Sequence, residues 1–339
     1  MHRDERIWVL ILAAGEGSRL RSLTTTASGT SIPKQFCSLY GGPSLLQEAL
    51  SRARSVTVDE QVCAVVAAQH RPWWQPQLAD LDTANVIVQP QNRGTANGIL
   101  LPLLRLLESD RGARILLVPS DHHVRDEAVL ARAMRDALQR LRPHSEATLL
   151  LGFEPDEPDP QLGYIVPGEP DDDGVRPVAR FVEKPSKALA QALIGLGALW
   201  NGFIVASTVH GLLGLYSRSR PRLVHAMRQA IRQDLQSPAQ TSAVAALYER
   251  LPTLDFSRDI LAGQASSLRV LRVPACGWTD LGTPERVAVA LRRPALQADG
   301  ASRQGLGQLS LAVQQERLRA STTAAGRVIS GYLAFAGPG

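Results

Sequence analysis

The chain has 339 residues, 44% of them hydrophobic and 20% charged, with a formal net charge of +5. That hydrophobic share is ample for a packed core, in one large domain or one domain plus a smaller one. Much of the basic balance is arginine scattered along helical stretches, and aromatics make up only 5%, so no base-stacking platform and no nucleic-acid partner are expected, whereas small anionic substrates account for the excess equally well.

The first element is an apolar run over residues 7–12, predicted as a fully buried strand. It is too short to cross a membrane and follows Asp4 and Glu5, so neither a membrane partner nor a secretory signal is expected. Cys37, Cys63 and Cys276 show neither metal-ligand spacing nor a paired framework, and reduced thiols in a cytoplasmic protein are the expectation. The strand turns on Gly15-Glu16-Gly17-Ser18-Arg19. Without a Cβ in the way, a glycine turn leaving a buried strand brings backbone N–H groups close to a phosphate chain. Arg19 adds a fork of donors for phosphate oxygens, and Lys34 a second cation. The turn is not a Walker A loop, since no Gly-Lys-Ser/Thr follows, and the third glycine of a dinucleotide fingerprint would fall at Leu20. Many such turns bind nothing, so from spacing alone both readings stay open.

Beyond the turn, Ser44 caps a predicted helix over 44–54. Strands are predicted over 61–68, 85–89 and 114–118, with helices over 70–80 and 95–107 between them, which indicates a parallel α/β sheet. Loops at the carboxyl ends of such strands are where ligands bind. Two of these loops hold chemistry: Gln89 to Asn97, where Thr95 is alternatively an ordinary helix cap, and Pro119-Ser120-Asp121-His122, where Asp121 either holds a divalent metal over phosphates or caps the next helix. His122 and His123 are read as loop residues, because adjacent histidines diverge and no third zinc ligand is spaced for them. A helix over 126–142, a strand over 147–153, an acidic proline-rich loop over 154–160, a turn at 171–174, a strand over 178–182 and a helix over 186–194 follow. Residues 207–250 read as helices broken at Pro221 and Pro238, and 267–273 as a strand. Residues 292–339 form a short tail with one amphipathic helix over 309–318.

Several of these segments together carry a resemblance. Leu12-Ala13-Ala14-Gly15-Glu16-Gly17-Ser18-Arg19-Leu20 with Pro33-Lys34-Gln35-Phe36 resembles the sugar nucleotidyltransferases, and within them the mannose-1-phosphate guanylyltransferases. Arg93, Thr95 and Ala96 match the segment of that family lying against base and ribose. Phe181-Val182-Glu183-Lys184-Pro185, Trp200-Asn201 and Trp278-Thr279-Asp280-Leu281-Gly282-Thr283 match three further marks, and Gly163-Tyr164-Ile165 a fourth. Departures occur at Ala14, Ser22, Gly94 and Asn97, and at Gly202, where the family has a small hydroxyl residue followed by glycine.

The resemblance implies a Rossmann-like, GT-A-like α/β fold with a mixed, mostly parallel central sheet flanked by helices, in a catalytic domain over 1–291. It implies a nucleotide site at Ala13, Ala14, Gly15, Gly17, Ser18, Arg93, Thr95 and Ala96. Arg19 and Lys34 would be catalytic, stabilising the pyrophosphate that leaves, and Gly163, Tyr164, Glu183, Lys184 and Asn201 would bind the sugar phosphate. Asp121 and Asp280 would share Mg²⁺. The expected partners are a nucleoside triphosphate and a hexose 1-phosphate, with GTP and mannose 1-phosphate as the leading pair and a homodimer left open. The alternatives are another hexose-1-phosphate nucleotidyltransferase, a catalytically weak sugar-nucleotide-binding regulatory paralogue and, more remotely, a dehydrogenase.

Overall fold

The computed structural model describes residues 6–26, 28–39, 41–141, 146–170, 174–237 and 242–292. Residues 171–173 of the expected turn at 171–174, the break at Pro238 and the tail helix over 309–318 lie outside them. β1 (Ile7–Ala13) is followed by a short α1 (Arg21–Thr24) and by α2 (Leu45–Arg54). Ser44 closes a capping box at the start of α2: its hydroxyl accepts from the Gln47 N–H (3.1 Å) and the Gln47 side chain accepts from the Ser44 N–H (2.9 Å). Then come β2 (Val62–Ala67), α3 (Arg71–Gln77), β3 (Val86–Gln89), α4 (Gly94–Ser109), β4 (Arg114–Pro119) and α5 (Glu127–Arg140). Each falls within a few residues of its predicted span.

The second half runs β5 (Thr148–Phe153), β6 (Gly163–Pro167), β7 (Arg176–Glu183), α6 (Lys187–Gly195), β8 (Leu199–Thr208), α7 (Val209–Ser219), α8 (Pro221–Gln236), α9 (Ala243–Arg250), β9 (Leu268–Arg272) and α10 (Pro284–Arg292). The strands form one nine-stranded sheet in the order β3-β2-β1-β4-β8-β5-β9-β7-β6, with β6 also paired to β8. β3, β2, β1 and β4 are parallel to one another, and β8 runs antiparallel to β4 and β5. Helices cover both faces. Val9 and Ile11 pack into one core with Leu46 and Met134, while Leu10 between them packs into the other with Ile99 and Leu212. A strand buried on both sides has no reason to alternate, which is why β1 reads as a continuous apolar run.

The chain leaves β1 towards β2 and β3, then returns to β4 on the other side of β1. The carboxyl ends of β1 and β4 therefore flank a topological switch point. Among the described residues no helix is long and apolar enough to cross a membrane. Cys37, Cys63 and Cys276 are free and buried, and burial pushes their thiols up to about 12, 12 and 11.

The departure at Gly202 has a packing reason. Phe153 pairs with Trp200 across β5 and β8, and a Cβ on Gly202 would land on the Phe153 ring. Phe203, where the family pattern has its glycine, is left-handed at φ 57. Restoring the hydroxyl as Gly202→Ser should lower stability by about 1–3 kcal/mol, read as a shift in the urea midpoint. Adding Phe153→Ala should cancel much of that loss; additive losses would show that the ring is not the obstacle.

Candidate active site

The glycine turn after β1 is held by side chains from two other segments. Gln35, buried, donates through Nε2 to the carbonyls of Ala13 (3.2 Å) and Gly15 (2.8 Å). Asn92 donates to the Ala14 carbonyl (3.2 Å) and to Glu16 Oε1 (3.3 Å), which also accepts from Gln69 (3.0 Å). Burial opposes ionisation of Glu16, but the amide donors of Asn92 and Gln69, with His70 beside them, hold its carboxyl below the usual range. Gly17 is left-handed (φ 60), and a Cβ there would sit 2.8 Å from the Lys34 backbone nitrogen. Only glycine lets the turn close on the Pro33–Lys34 segment.

Asp121 follows β4, and Asp280 lies in the loop after β9. An isolated antiparallel bridge joins their loops: His123 N–H donates to the Thr279 carbonyl (3.0 Å) and Thr279 N–H to the His123 carbonyl (2.9 Å). The Lys34 ammonium ties the two together, 3.1 Å from Asp121 Oδ2 and donating to the Asp280 backbone carbonyl at 2.6 Å. Asp280 Oδ1 accepts from Arg286 (2.9 Å) and from the Gly282 N–H (3.0 Å), and Arg19 lies 3.6 Å from Oδ2. The cap of α5 is Asp126, which accepts from the Val129 N–H (3.0 Å), so Asp121 is not spent on capping.

Burial works against the charge on Asp121, but Lys34, His122 and Arg19 hold its carboxyl below the usual range. His122, Arg286, Lys34 and Arg19 do the same for Asp280 against its burial. Burial drives the His122 imidazole down to about 4, so it is neutral at physiological pH. The donors on offer to a metal are thus two ionised carboxylates, a hard all-oxygen set that suits Mg²⁺. Among the described residues no group of three or more acids, histidines or cysteines could hold a metal by itself. An ion at this place would complete its shell with substrate oxygens or water.

The cavity has a volume of about 530 Å³. At its other end Gly163 on β6 pairs with both Glu183 on β7 and Asn201 on β8. A Cβ on Gly163 would sit 2.5 Å from Glu183 Oε2, an oxygen that is buried with no hydrogen-bond partner. Asn201 donates to Ser257 Oγ (3.3 Å) and accepts from the Phe203 N–H (3.2 Å). Burial, and then Asp255, raise the Glu183 carboxyl to about 7, against the pull of Lys184 and Arg258. Lys184 is itself left-handed (φ 47), its N–H bound to the Leu162 carbonyl at 3.2 Å.

Of the expected site residues, the fold brings Ala14, Gly15, Arg19, Thr95, Asp121, Gly163, Glu183, Lys184, Asn201 and Asp280 to this cavity. It does not bring the others to its wall. Ala13 is buried at the strand end and Gly17 serves the turn, while Ser18 is exposed beyond it. Lys34 sits behind the wall at 4% exposure, its ammonium committed to Asp121 and the Asp280 carbonyl. Arg93 points to the end of α9, where its guanidinium donates to the carbonyls of Tyr248 (2.8 Å) and Glu249 (2.9 Å). Ala96 is buried, bonded through its carbonyl to the Tyr216 hydroxyl (2.7 Å). Tyr164 is fully buried and spends its hydroxyl on the backbone of Asp159, because successive strand residues face opposite sides.

The Thr95 cap reading also gives way. Gly94, left-handed at φ 83, opens α4, and a Cβ there would strike the Leu254 carbonyl. Thr95 Oγ1 instead accepts from the Phe256 N–H (2.8 Å). Residues without an assigned role that line the cavity include Gln35, Gln89, Asn92, Ser257 and Arg258. Gln89, at the carboxyl end of β3, is buried at 2% exposure; a buried polar residue at that strand end is the signal that marks it.

The sequence model of the family described as nucleotidyl transferase matches residues 8–293. Mannose-1-phosphate guanylyltransferase ManC of Salmonella typhimurium is 32% identical over 242 residues, which are 68% of this chain and 48% of that protein. The mannose-1-phosphate guanylyltransferase of Escherichia coli K12 is 33% identical over 241 residues, 67% of this chain and 48% of its own length. The crystal structure described as mannose-1-phosphate geranyltransferase from Thermus thermophilus shares the fold with a TM-score of 0.70 and 26% identity, covering 82% of this chain and 76% of that one. The chain thus spans about half the length of the curated relatives it matches. Because the family match runs through the glycine turn, both aspartate loops and the whole sheet, this chain belongs to the nucleotidyl transferase family.

Proposed function

We propose that this chain transfers a nucleotidyl group from a nucleoside triphosphate to a hexose 1-phosphate, releasing pyrophosphate, with GTP and mannose 1-phosphate as the leading pair. The observation that carries the reaction class is the pairing of Asp121 and Asp280 by the His123–Thr279 bridge. They stand in one cavity between the glycine turn with Arg19 and the Glu183–Lys184–Asn201 cluster. The choice of pair rests on the named activity of the guanylyltransferase relatives.

An oxygen of the sugar phosphate forms a bond to the α-phosphorus as the bond from that phosphorus to the pyrophosphate oxygen breaks. Both reactants are anions, so the protein's work is alignment and charge neutralisation. In this reading Arg19, half exposed at the cavity, binds the triphosphate, and Lys184 the sugar phosphate. Glu183 and Asn201 orient the sugar hydroxyls. Mg²⁺ held by Asp121 and Asp280 would supply further neutralisation of the phosphates. Lys34 holds the Asp121 carboxylate against the Asp280 backbone from behind. No general base is required, since the attacking oxygen is ionised near neutral pH, and the neutral His122 is left without that role.

The direct test is pyrophosphate release with Mg²⁺, offering GTP, UTP, dTTP, ATP and CTP against mannose 1-phosphate and glucose 1-phosphate. Release confined to GTP with mannose 1-phosphate is expected; another productive pair would correct the specificity, and no release from any pair in folded protein would overturn the activity. Asp121→Asn and Asp280→Asn should each lose well over ~10-fold in rate while keeping the fold by circular dichroism; wild-type rates would remove the metal assignment. Lys184→Ala should raise KM for the sugar phosphate more than it lowers kcat, and an unchanged saturation curve would count against its role.

Glu183 adds a pH dependence. A carboxyl whose folded pKa lies above its unfolded value contributes stability below the unfolded pKa and loses it as pH rises through the folded one, here about 7. Glutamine does not titrate, so the melting temperature of Glu183→Gln should gain on wild type between about pH 5 and pH 8. Parallel profiles would show that Glu183 titrates as an ordinary solvated carboxyl.

A further inference from the structure

Arg286, near the start of α10, belongs to none of the motifs read from the sequence, yet it holds three acids. Its Nη1 donates to Asp280 Oδ1 at 2.9 Å, and its Nη2 lies 3.0 Å from Asp159 Oδ2 and 3.3 Å from Glu157 Oε1. The guanidinium sits over the Trp200 ring, 4.8 Å from its centroid. Its side chain is 12% exposed, and those of Asp280 and Asp159 are 4% and 11% exposed. A planar fork that satisfies two nearly buried carboxylates at once fixes the angle of both.

The second of those carboxylates leads to the sugar end of the cavity. The Asp159 N–H donates to the Tyr164 hydroxyl (2.8 Å), and that hydroxyl donates back to the Asp159 carbonyl (3.1 Å). Tyr164 adjoins Gly163, the residue paired with both Glu183 and Asn201. Gln161, whose N–H donates to Asp159 Oδ1 (2.7 Å), itself lines the cavity. One arm of Arg286 thus reaches the carboxylate offered to the metal, and the other reaches Asp159, whose backbone is bonded to Tyr164 on β6 at the far end of the cavity.

We propose that Arg286 is a positioning residue for the transfer reaction: it orients Asp280 towards the divalent metal and, through Asp159, sets the sugar-binding strand at a fixed distance from it. This rests on the nucleotidyl transfer reading above. Groups that orient a metal ligand typically matter by about 10- to 100-fold in metal affinity or activity. Arg286 touches neither substrate nor metal in this assignment, so its effect is on geometry and not on the chemistry itself.

The test uses the full chain and two readouts. The first is Mn²⁺ affinity in the presence of GTP, measured by electron paramagnetic resonance, which needs no turnover. The second is pyrophosphate release with kcat and KM resolved. Arg286→Met should weaken Mn²⁺ binding by about 10-fold or more and lower kcat to a similar degree, and Arg286→Lys should recover only part of either. A cavity of about 390 Å³, sharing no lining residue with the catalytic one, opens beside Arg286, so added guanidinium ion should restore part of the rate to Arg286→Met at concentrations that leave wild type unchanged. Asp159→Asn keeps the bond to Asp280; it should raise KM for the sugar phosphate several-fold with Mn²⁺ affinity near wild type, and it decides the second arm even if Arg286→Met does not fold. Wild-type Mn²⁺ affinity in both Arg286 variants, or wild-type KM in folded Asp159→Asn, would overturn the proposal. If wild type releases no pyrophosphate from any pair, the activity reading fails instead, and the Mn²⁺ arm still decides whether Arg286 orients Asp280.

Discussion

The structure depends on one buried ammonium. Lys34 joins Asp121 and the backbone of Asp280, the latter 246 residues away along the chain, and so closes the N-terminal parallel half of the sheet onto the loop that follows its last strand. A cation buried to 4% exposure is costly unless paired. Here it meets a carboxylate and a carbonyl whose own positions are set by the His123–Thr279 bridge. Ammonium and bridge support each other: without the bridge the cation would lack its second partner, and without the cation the Asp121 carboxylate would lose its lysine partner. The remaining positive charge, Arg19 on the cavity side and Arg286 behind, completes a ring around the same two acids.

Strain collects at the same place. Among the described residues, the non-glycine residues with left-handed backbone are Lys184, Phe203 and Leu281. The first is a cavity residue, the second accompanies Asn201, and the third adjoins Asp280. Such conformations cost of order 1–3 kcal/mol each and persist where the surroundings over-determine them. Lys184 directly follows β7, Phe203 sits inside β8 where its register against β5 shifts, and Leu281 lies in the loop after β9. Glycine takes the complementary part at Gly17, Gly94 and Gly163, where a neighbouring backbone or carboxylate occupies the space of a Cβ.

The aromatic residues near Asp280 leave no room for a side chain at position 202. Phe153 stacks on Trp278 at 4.6 Å between centroids, and Trp278 meets the edge of His122 at 5.3 Å. This column occupies the room that a hydroxyl side chain at position 202 would need. It also gives both aspartate loops an apolar backing, so their carboxylates are held by few, directional contacts instead of by solvent.

Much of the fold was legible in the sequence by itself, because its causes are local. The apolar run of β1, the Ser44 capping box and the break at Pro221 each depend on neighbours a few residues away. The strand-end positions of Asp121 and Glu183, and the glycine turn before Arg19, follow from the same local rules combined with the family pattern, whereas β8, which carries Asn201 and runs on through Thr208, was not among the predicted strands. What only the tertiary structure decided is which motif residues face the cavity. Gly163 and Tyr164 are adjacent in one motif, yet the pleat sends the tyrosine into the core. Arg93 sits beside Thr95, yet its guanidinium is taken by carbonyls at the end of a helix some 155 residues on. Lys34 lies behind the wall because Asp121 and Asp280 draw it there, and Arg286 bears no motif at all. Direction, burial and partnership of a charged side chain are set by groups distant in sequence, and no local pattern encodes where those groups arrive.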